Sequence, residues 1–279
     1  MSKIRQLAPL LFLLVSACVP KAFLLEQPKL VSVYFERKIE KLEKAKSPDL
    51  DSQRLLMRTK VEYGFGIIME QANRLIDEDY SLAMAKYEQA NKIFSEARDS
   101  GISIISKKYP NLKKWLNKEA SIDFNADDIS DIYWLAASIG GCISSSRGNP
   151  FELINLPNVG RLLRTGIDIN PGWKNGSFYS AMISFTTTRS DLNEVMLRDS
   201  VDYYFDKAVL YSDGKDAGPY LTYAESIHKP FQERKNFVDK LNYVRNMENK
   251  PNDEFELTNL LAKSRAKWLL ARTDEYFLE

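Results

Sequence analysis

From Val61 onward, apolar and small residues recur every three or four positions with few interruptions, and this periodicity restricts the fold more than any other feature. A side chain returns to the same face of an α-helix about every 3.6 residues, so each such stripe predicts a helix with one buried face. The 12 glycines and 11 prolines are few and stand mainly between the periodic stretches. The sequence therefore predicts an all-α fold.

The periodic stretches fall into pairs that are separated by short polar or glycine-containing breaks, as antiparallel helical hairpins require. The first stripe consists of Val61, Phe65, Ile68, Ala72 and Leu75, and its partner runs from Ala83 to a predicted end at Gly101. The other predicted pairs, with a final helix that could close the array, are 126–145 with 153–166, 175–185 with 197–208, 219–228 with 231–246, and 257–271. Asn125 is the expected N-cap of the third helix.

The second helices of three hairpins share a small-x-x-x-large-x-x-small spacing: Ala83-Tyr87-Ala90, Val159-Leu163-Gly166 and Val201-Phe205-Ala208. This spacing resembles the second helix of the tetratricopeptide repeat, in which small residues allow close helix approach and the large residue fills the gap between hairpins. The loops are longer than in the standard repeat, and most hairpins lack its closing proline. The sequence thus predicts antiparallel hairpins stacked as a divergent tetratricopeptide-like solenoid.

The first 18 residues have the pattern of an export signal. Lys3 and Arg5 precede an apolar run at 7–15, which is too short to span a bilayer. The run ends in Leu14-Val15-Ser16-Ala17-Cys18, which resembles the bacterial lipobox. We expect a lipoprotein signal peptide at 1–17 and lipidation of Cys18, giving a periplasmic protein anchored to the inner or the outer membrane; an ordinary secretory signal is the alternative. We assign 18–60 to an anchor-proximal spacer with a first helix, and 61–279 to the helical domain.

Composition argues against several classes of function. The 39 basic and 38 acidic residues are interspersed, so no basic stripe for nucleic acid is present. His228 is the only histidine, which excludes a multi-histidine metal site, and the common catalytic motifs are absent. Cys142 has no partner for a disulfide once Cys18 is lipidated, and we expect it to be buried. The sequence predicts no catalytic residue, no metal site and no cofactor.

Three segments are candidates for contacts with a ligand or partner. Trp134 lies one position off the apolar face of its helix, so it belongs either to the core or to a cleft. The segment 171–176 is explained by a turn between hairpins, and 213–220 is either a contact loop or a plain connection. Glu225-Ser226 resembles the catalytic start of lytic transglycosylases, but the Gly-Leu-Met-Gln segment expected downstream is missing.

Several motifs, in order along 61–277, resemble the T component of tripartite ATP-independent periplasmic (TRAP) transporters associated with tetratricopeptide proteins. They are Ile132-Tyr133-Trp134-Leu135-Ala136-Ala137-Ser138, 153–171 with its Asp-Ile-Asn-Pro ending, Asn175-Gly176, Asp-Ala-Gly-Pro-Tyr-Leu-Thr-Tyr-Ala-Glu at 216–225, and 257–270. The single motifs are weak, and their order is the stronger signal.

The resemblance implies a lipid-anchored helical-repeat protein that binds the periplasmic substrate-binding P component and assists uptake, without enzymatic activity. It also implies possible homo-oligomers and a cleft or pore for a hydrophobic or carboxylated ligand. The expected binding residues are Trp134, Ser138, Asn175, Tyr179, Gly218, Tyr220, Tyr223 and Glu225. Two alternatives remain, a helical-repeat lipoprotein scaffold of outer-membrane assembly and a lytic transglycosylase.

Overall fold

The computed structural model describes residues 28–251 and 253–278, which contain helices and connections but no strand. The predicted signal peptide and Cys18 lie outside these residues. The α-helices are α1 (Pro28–Glu43), α2 (Leu50–Tyr63), α3 (Glu70–Leu75), α4 (Tyr80–Lys108), α5 (Leu112–Leu116), α6 (Ile129–Ser145), α7 (Pro150–Leu153), α8 (Leu156–Ile169), α9 (Ser177–Thr187), α10 (Glu194–Tyr211), α11 (Gly218–Tyr223), α12 (Arg234–Asn246) and α13 (Glu256–Ala271).

Five short segments have other helical geometry. Two π-helical segments, Gly64–Met69 and Ala224–His228, join α2 to α3 and extend α11, and the 3-10 turns are Ala126–Asp128, Trp173–Gly176 and Thr273–Glu275. The prediction of an all-α fold is confirmed.

Polar side chains fix where the main helices begin. Asp79 accepts a hydrogen bond from the Leu82 backbone N–H (2.9 Å) at the start of α4. Asn193 accepts one from the Met196 backbone N–H (2.9 Å) at the start of α10. Asn125 accepts from the Asp127 backbone N–H, which confirms it as a cap, although it caps the 3-10 turn that leads into α6. These bonds satisfy backbone donors that a helix leaves free at its N-terminus.

Consecutive helices pack antiparallel, as the hairpin pattern predicts. The unit of α2, the first π-segment and α3 lies against α4, which lies against α6; α8 and α9, and then α9 and α10, continue the array. Glycines permit the closest approaches: a Cβ on Gly166 of α8 would lie 2.1 Å from the Phe178 ring of α9. The small-large-small positions of α4, Ala83, Tyr87 and Ala90, are all buried.

The last helix brings the end of the array back to its beginning. α13 packs on α11 and α12 through Ala262, Ala266 and Leu269, and its Leu261 side chain lies 3.7 Å from the place of a Cβ on Gly66. Arg272 at its C-terminus pairs with Asp77 in the first hairpin turn (3.2 Å). The stacked hairpins therefore form a closed ring, in which α13 joins the last hairpin to the first.

The predicted boundary between residues 60 and 61 lies within α2, which runs from Leu50 to Tyr63 and packs in the helical domain. Met57 is fully buried, and Arg54 donates to the Asp131 carboxylate of α6 at 2.7 Å. Although this stretch is rich in charged residues, α2 packs against α4 and α6.

Two further details of the first hairpin differ from the prediction. α4 does not end at Gly101 but continues to Lys108, because this glycine lies where Met57 and Leu135 approach the helix. A Cβ at Gly101 would lie 3.0 Å from the Met57 sulfur, so the glycine serves packing rather than termination. Phe65 is not buried with the predicted stripe: it is 39% exposed, because the π-helical segment shifts the helix face at that point.

Candidate functional site

A cavity of about 500 Å³ lies within the ring. Its walls come from the two ends of the array and from the helices between them, and most of the lining side chains are apolar. The lining residues are Val31, Phe35, Val61, Glu62, Phe65, Gly66, Ile67, Tyr133, Trp134, Ala136, Ala137, Gly140, Ile143, Ser144, Leu156, Val159, Leu163, Ala181, Ser184, Phe185, Thr188, Leu257, Thr258 and Leu261. A chamber of this size and character suits a small apolar molecule.

The first π-segment forms one wall. Gly64 allows the Phe94 ring of α4 to approach, since a Cβ there would lie 2.5 Å from the ring. The widened turn directs Phe65 towards the cavity, where its ring centroid lies 4.6 Å from that of Phe94. π-Segments within α-helices are frequent at functional sites, and here the segment shapes the chamber.

The α6 wall contains open space beside a glycine. Gly140 lines the cavity, and a Cβ built on it would meet no atom within 4 Å. The neighbouring Gly141 faces the opposite way, where a Cβ would lie 2.3 Å from Phe94. Two adjacent glycines therefore have different roles: Gly141 permits helix packing, and Gly140 leaves volume in the chamber.

Trp134 connects the chamber to charged side chains. The Arg58 guanidinium carbon lies 5.5 Å from the Trp134 ring centroid, and the Lys174 ammonium lies 5.8 Å from it. Both distances are in the range of cation–π attraction. Arg58 also pairs with Glu62 at 2.6 Å, the one carboxylate among the lining residues. The cavity thus has an apolar interior and a charged rim beside Trp134.

Of the eight residues predicted to bind a ligand or partner, Trp134 alone lines the cavity. Ser138 lies on the same helix but is fully buried, and its hydroxyl donates to the Leu135 carbonyl at 2.8 Å. Asn175 lies in a turn with three successive positive φ angles, 42° at Lys174, 54° at Asn175 and 82° at Gly176. Its side-chain amide donates to Glu254 at 2.7 Å, so the residue closes a turn.

The other five predicted residues lie on α9, on α11 or in the second π-segment, away from the lining residues. Tyr179 is buried and stacks on Tyr211 with ring centroids 5.5 Å apart. Gly218 donates its backbone N–H to Asp216 at 2.8 Å at the start of α11. Glu225 pairs with Arg265 of α13 at 2.6 Å.

Tyr220 and Tyr223 belong to an aromatic cluster on α11. Tyr220 packs between Phe205 (5.1 Å) and Tyr243 (4.6 Å), and burial raises its pKa to about 12. The Tyr223 hydroxyl donates to Asp202 at 2.5 Å, and burial raises its pKa as well. Both hydroxyls therefore stay protonated at neutral pH, and their contacts hold α10 and α11 together.

The single histidine, His228, takes part in a series of polar contacts that join neighbouring helices. His228 Nδ1 lies 2.5 Å from the Glu233 carboxylate, which is paired with Arg198 of α10 at 2.9 Å. His228 is buried, and burial lowers its pKa. These three side chains join α10, the second π-segment and the turn before α12, and none of the three lines the cavity.

Cys142 is buried, as predicted, and burial raises the pKa of its thiol to about 11. Within the described residues no group of histidine, cysteine, aspartate and glutamate side chains has the arrangement of a metal site. In the same part of the chain, no helix combines the length and apolar character needed to cross a bilayer.

The cavity walls contributed by α1, the first π-segment and α13 were not predicted from the sequence. One signal was available: Gly64-Phe65-Gly66-Ile67-Ile68-Met69 is an uninterrupted apolar run with two glycines inside a helix. Glycine weakens a helix interior, so two glycines in six residues indicate close packing or an irregular turn. No comparable signal marks Leu257 and Leu261, since only ring closure brings them to the cavity.

Fold and cavity together define a class: helical-repeat proteins whose hairpins enclose an apolar chamber. Residues 38–277 match the family described as TRAP transporter T-component, and the chain belongs to this family. It is also similar to an uncharacterized protein of Treponema pallidum (strain Nichols), with 19% identity over 234 residues, covering 80% of this chain and 71% of that protein. The family is one of transporter components rather than of enzymes, which indicates a role in TRAP transport.

Proposed function

We propose that this protein is a lipid-anchored periplasmic T component, which binds the substrate-binding P component of a TRAP transporter and holds an apolar ligand during uptake. The observation that carries the ligand part is the 500 Å³ chamber with its open space beside Gly140. Family membership supports the partner, and the lipobox at 14–18 supports the anchor.

The chamber supports a binding role because apolar side chains facing an open volume lose contacts that a ligand would restore. Clefts of this size, lined mainly by apolar side chains with a few polar groups, are the usual form of small-molecule sites in proteins. An apolar molecule that entered it would gain burial and dispersion contacts. Glu62 and the cations beside Trp134 mark the side on which a polar end of the ligand would lie.

Ligand binding is tested by filling the chamber from Gly140. N-Phenyl-1-naphthylamine, whose fluorescence rises in apolar surroundings, serves as the probe with purified protein. Gly140→Leu adds a side chain into open space, so we expect the probe affinity to fall about tenfold or more, equivalent to about 1.4 kcal/mol. Gly140→Ala is the matched control and should lower affinity only slightly. Equal affinity in all three proteins would show that the probe does not enter this cavity.

The partner is tested by affinity capture from the periplasmic fraction of cells shown to express a TRAP substrate-binding protein. We expect recovery of that protein with the wild-type chain. Failure to recover any substrate-binding protein under these conditions would contradict the proposed partner. Mass spectrometry of the N-terminal peptide tests the anchor separately, since lipidation at Cys18 changes its mass.

A further inference from the structure

The ring has two different ends. The turns within the hairpins, at 76–79, 146–155, 188–193 and 229–233, lie at one end, because α4, α8, α10 and α12 each run antiparallel to the first helix of their hairpin. We call this the turn end. The connections between hairpins, at 109–128, 170–176 and 212–217, lie at the opposite end, called the connection end. The C-terminus of α13 also belongs to the turn end, as its Arg272–Asp77 pair demonstrates.

Large apolar side chains are exposed at three of the four hairpin turns of the turn end; at the fourth, Phe231 is half-buried. Tyr80 is 67% exposed, Phe151 84%, Ile154 76% and Val195 67%. Water-soluble surfaces do expose single apolar residues, but here the first three hairpin turns repeat the feature at the same end of the ring. The turn end thus has an apolar character that comes from several separate segments of the chain.

Ion pairs within the protein offset part of the carboxylate charge at these turns. Asp77 and Glu78 share Arg272, at 3.2 and 3.3 Å, and this arginine also pairs with Glu275 at 2.7 Å. Arg198 is shared in the same way by Glu194 (3.0 Å) and Glu233 (2.9 Å). The turn end therefore presents its apolar side chains next to carboxylates that are partly offset by two arginines, and its described residues include no unpaired basic cluster of the kind found at residues 113–118 of the opposite end.

The chain that precedes the described residues enters the ring at the turn end. α1 runs antiparallel to α2 and α3: Ser32 lies 3.4 Å from Gln71 in α3, whereas Glu43 pairs with Lys60 in α2 at 2.6 Å. Pro28, the first residue of α1, is therefore at the turn end. Nine residues lie between it and Cys18, so ten Cα–Cα steps join the two and span at most about 36 Å. A lipid on Cys18 would hold a membrane surface near this end.

The connection end has the opposite character. Between residues 107 and 118 it contains five lysines, and Lys113, Lys114 and Lys118 are exposed and form no ion pair in the described part of the chain. Such a segment favours water or an anionic surface rather than an apolar one. The two ends therefore differ in the way that an oriented protein at a membrane requires.

We infer that the turn end rests on the lipid bilayer, with Tyr80, Phe151, Ile154 and Val195 inserted into its interfacial region. This inference rests on the lipidation of Cys18 in the proposed function. The anchor supplies proximity, and the inserted side chains supply orientation, since membrane attachment is strengthened when two weak signals combine. The connection end then projects away from the bilayer, with the ring axis fixed relative to the membrane.

The test places a polarity-sensitive fluorophore, nitrobenzoxadiazole, at single introduced cysteines of the full lipoprotein in phosphatidylcholine vesicles. Ile154→Cys and Val195→Cys report on the turn end. Leu210→Cys is the matched control, because Leu210 is 67% exposed, like Val195, but lies at the connection end. Cys142 needs no replacement, since it is buried. Circular dichroism verifies that each labelled protein is folded.

We expect blue-shifted emission at 154 and 195 and about twofold or greater quenching by lipids with nitroxide-labelled acyl chains, at low and at high salt. The label at 210 should show neither effect. Unshifted emission at both turn-end positions, or equal quenching at 210, would overturn the inference. A label at Lys114→Cys that is buried only with anionic lipids and low salt would overturn it too, because the lysines would then face the membrane.

A second arm separates this inference from the proposed function. In this arm the chain starts at residue 19, so it lacks Cys18 and the lipid on it. An N-terminal hexahistidine tag binds the protein to vesicles that contain nickel-chelating lipid, and the protein carries the same labels. Insertion at 154 and 195 in this arm supports the turn-end contact even when lipidation or P-component capture fails. Labels that remain in water in both arms, in a protein that still captures the P component, refute the inference and leave the proposed function intact.

Discussion

Gly140 and Gly141 are neighbours in α6, yet the structure gives them opposite surroundings. A Cβ at Gly140 would meet nothing within 4 Å, whereas one at Gly141 would lie 2.3 Å from the Phe94 ring. Helix propensity treats the two positions alike, since alanine is favoured over glycine by about 1 kcal/mol in either. Packing therefore decides the effect of a substitution at each position.

The pair gives a prediction at the scale of single residues. Gly140→Ala should raise the free energy of unfolding by about 0.5–1 kcal/mol, because the methyl group enters open space and the unfolded chain loses freedom. Gly141→Ala should lower it by about 1–3 kcal/mol, because Phe94 must move. Urea unfolding followed by circular dichroism measures both changes. A stabilising Gly141→Ala would contradict the packing described for α4 and α6.

At the scale of helical elements, the two π-segments are the main departures from regular geometry. Both lie in the first helix of a hairpin, at the first and the fourth hairpin respectively. Gly64–Met69 forms a wall of the cavity, whereas Ala224–His228 ends in the histidine that contacts Glu233. In each case the wider turn redirects a side chain that a regular α-helix would direct elsewhere.

The second π-segment makes stability depend on pH. Burial lowers the pKa of His228 in the folded protein, with Lys240 and Arg198 acting in the same direction and Glu233 opposing them. Below the unfolded value of about 6.5, the unfolded chain binds a proton that the folded protein disfavours. The free energy of unfolding should therefore fall as the pH decreases from about 7 through this range.

Replacing the histidine tests this dependence. His228→Gln retains a hydrogen-bonding side chain but cannot titrate, so its urea midpoint should fall less than that of the wild type between pH 7.5 and about pH 5.5. The control is Lys235→Gln on α12, whose ion pair with Asp239 is exposed and which should keep the wild-type pH dependence. Identical pH dependence in all three proteins would exclude a contribution from His228.

At the scale of the whole molecule, the ring closes through charged and aromatic contacts rather than through a continuous apolar core. The guanidinium carbon of Arg74 in α3 lies 5.9 Å from the Trp268 ring of α13, and Arg74 also donates to the Ser264 hydroxyl of α13 at 3.2 Å. Arg265 pairs with Glu225 at 2.6 Å and is only 13% exposed. Arg265 therefore connects α13 to the second π-segment, and through Glu70 to α3.

Removing this arginine should loosen the closure. Arg265→Leu leaves Glu225 without its partner, so we expect a loss of about 1–3 kcal/mol in the free energy of unfolding. Amide hydrogen exchange in α13 should accelerate more than in α6, which lies on the far side of the cavity. Arg234→Leu is the matched control: it removes an exposed pair with Asp274, which should cost less than about 1 kcal/mol. Unchanged amide exchange in α13 would contradict the role of Arg265 in holding α13 to α3 and to the second π-segment.

The helices and their pairing could be predicted because they depend on local pattern. The stripe from Ala83 to Ala97, the cap at Asn125 and the buried Cys142 each follow from neighbouring residues. Helix limits and packing were less predictable: charge at 50–58 suggested a helix outside the domain, although α2 packs within it, and Gly101 suggested an end where packing required a glycine. In both cases the deciding contacts come from residues far away in the sequence.

The candidate site was predictable only in part. Trp134 lines the cavity because its offset from the apolar face of α6 follows from helix geometry. Glu225 and Tyr223, which the family resemblance suggested, contact other helices instead. Their roles depend on which helix packs beside them, and a single helix does not contain that information.

By itself, the sequence determined that the chain forms helical hairpins in a given order, because periodicity and caps act within a few residues. Only the tertiary structure decided that the array closes into a ring, that the π-segment at Gly64–Met69 shapes a chamber, and that Leu261 reaches it from the far end of the chain. The physical reason is that a cavity is the volume left between helices. Its shape depends on contacts over nearly the full length of the chain, which no local pattern specifies.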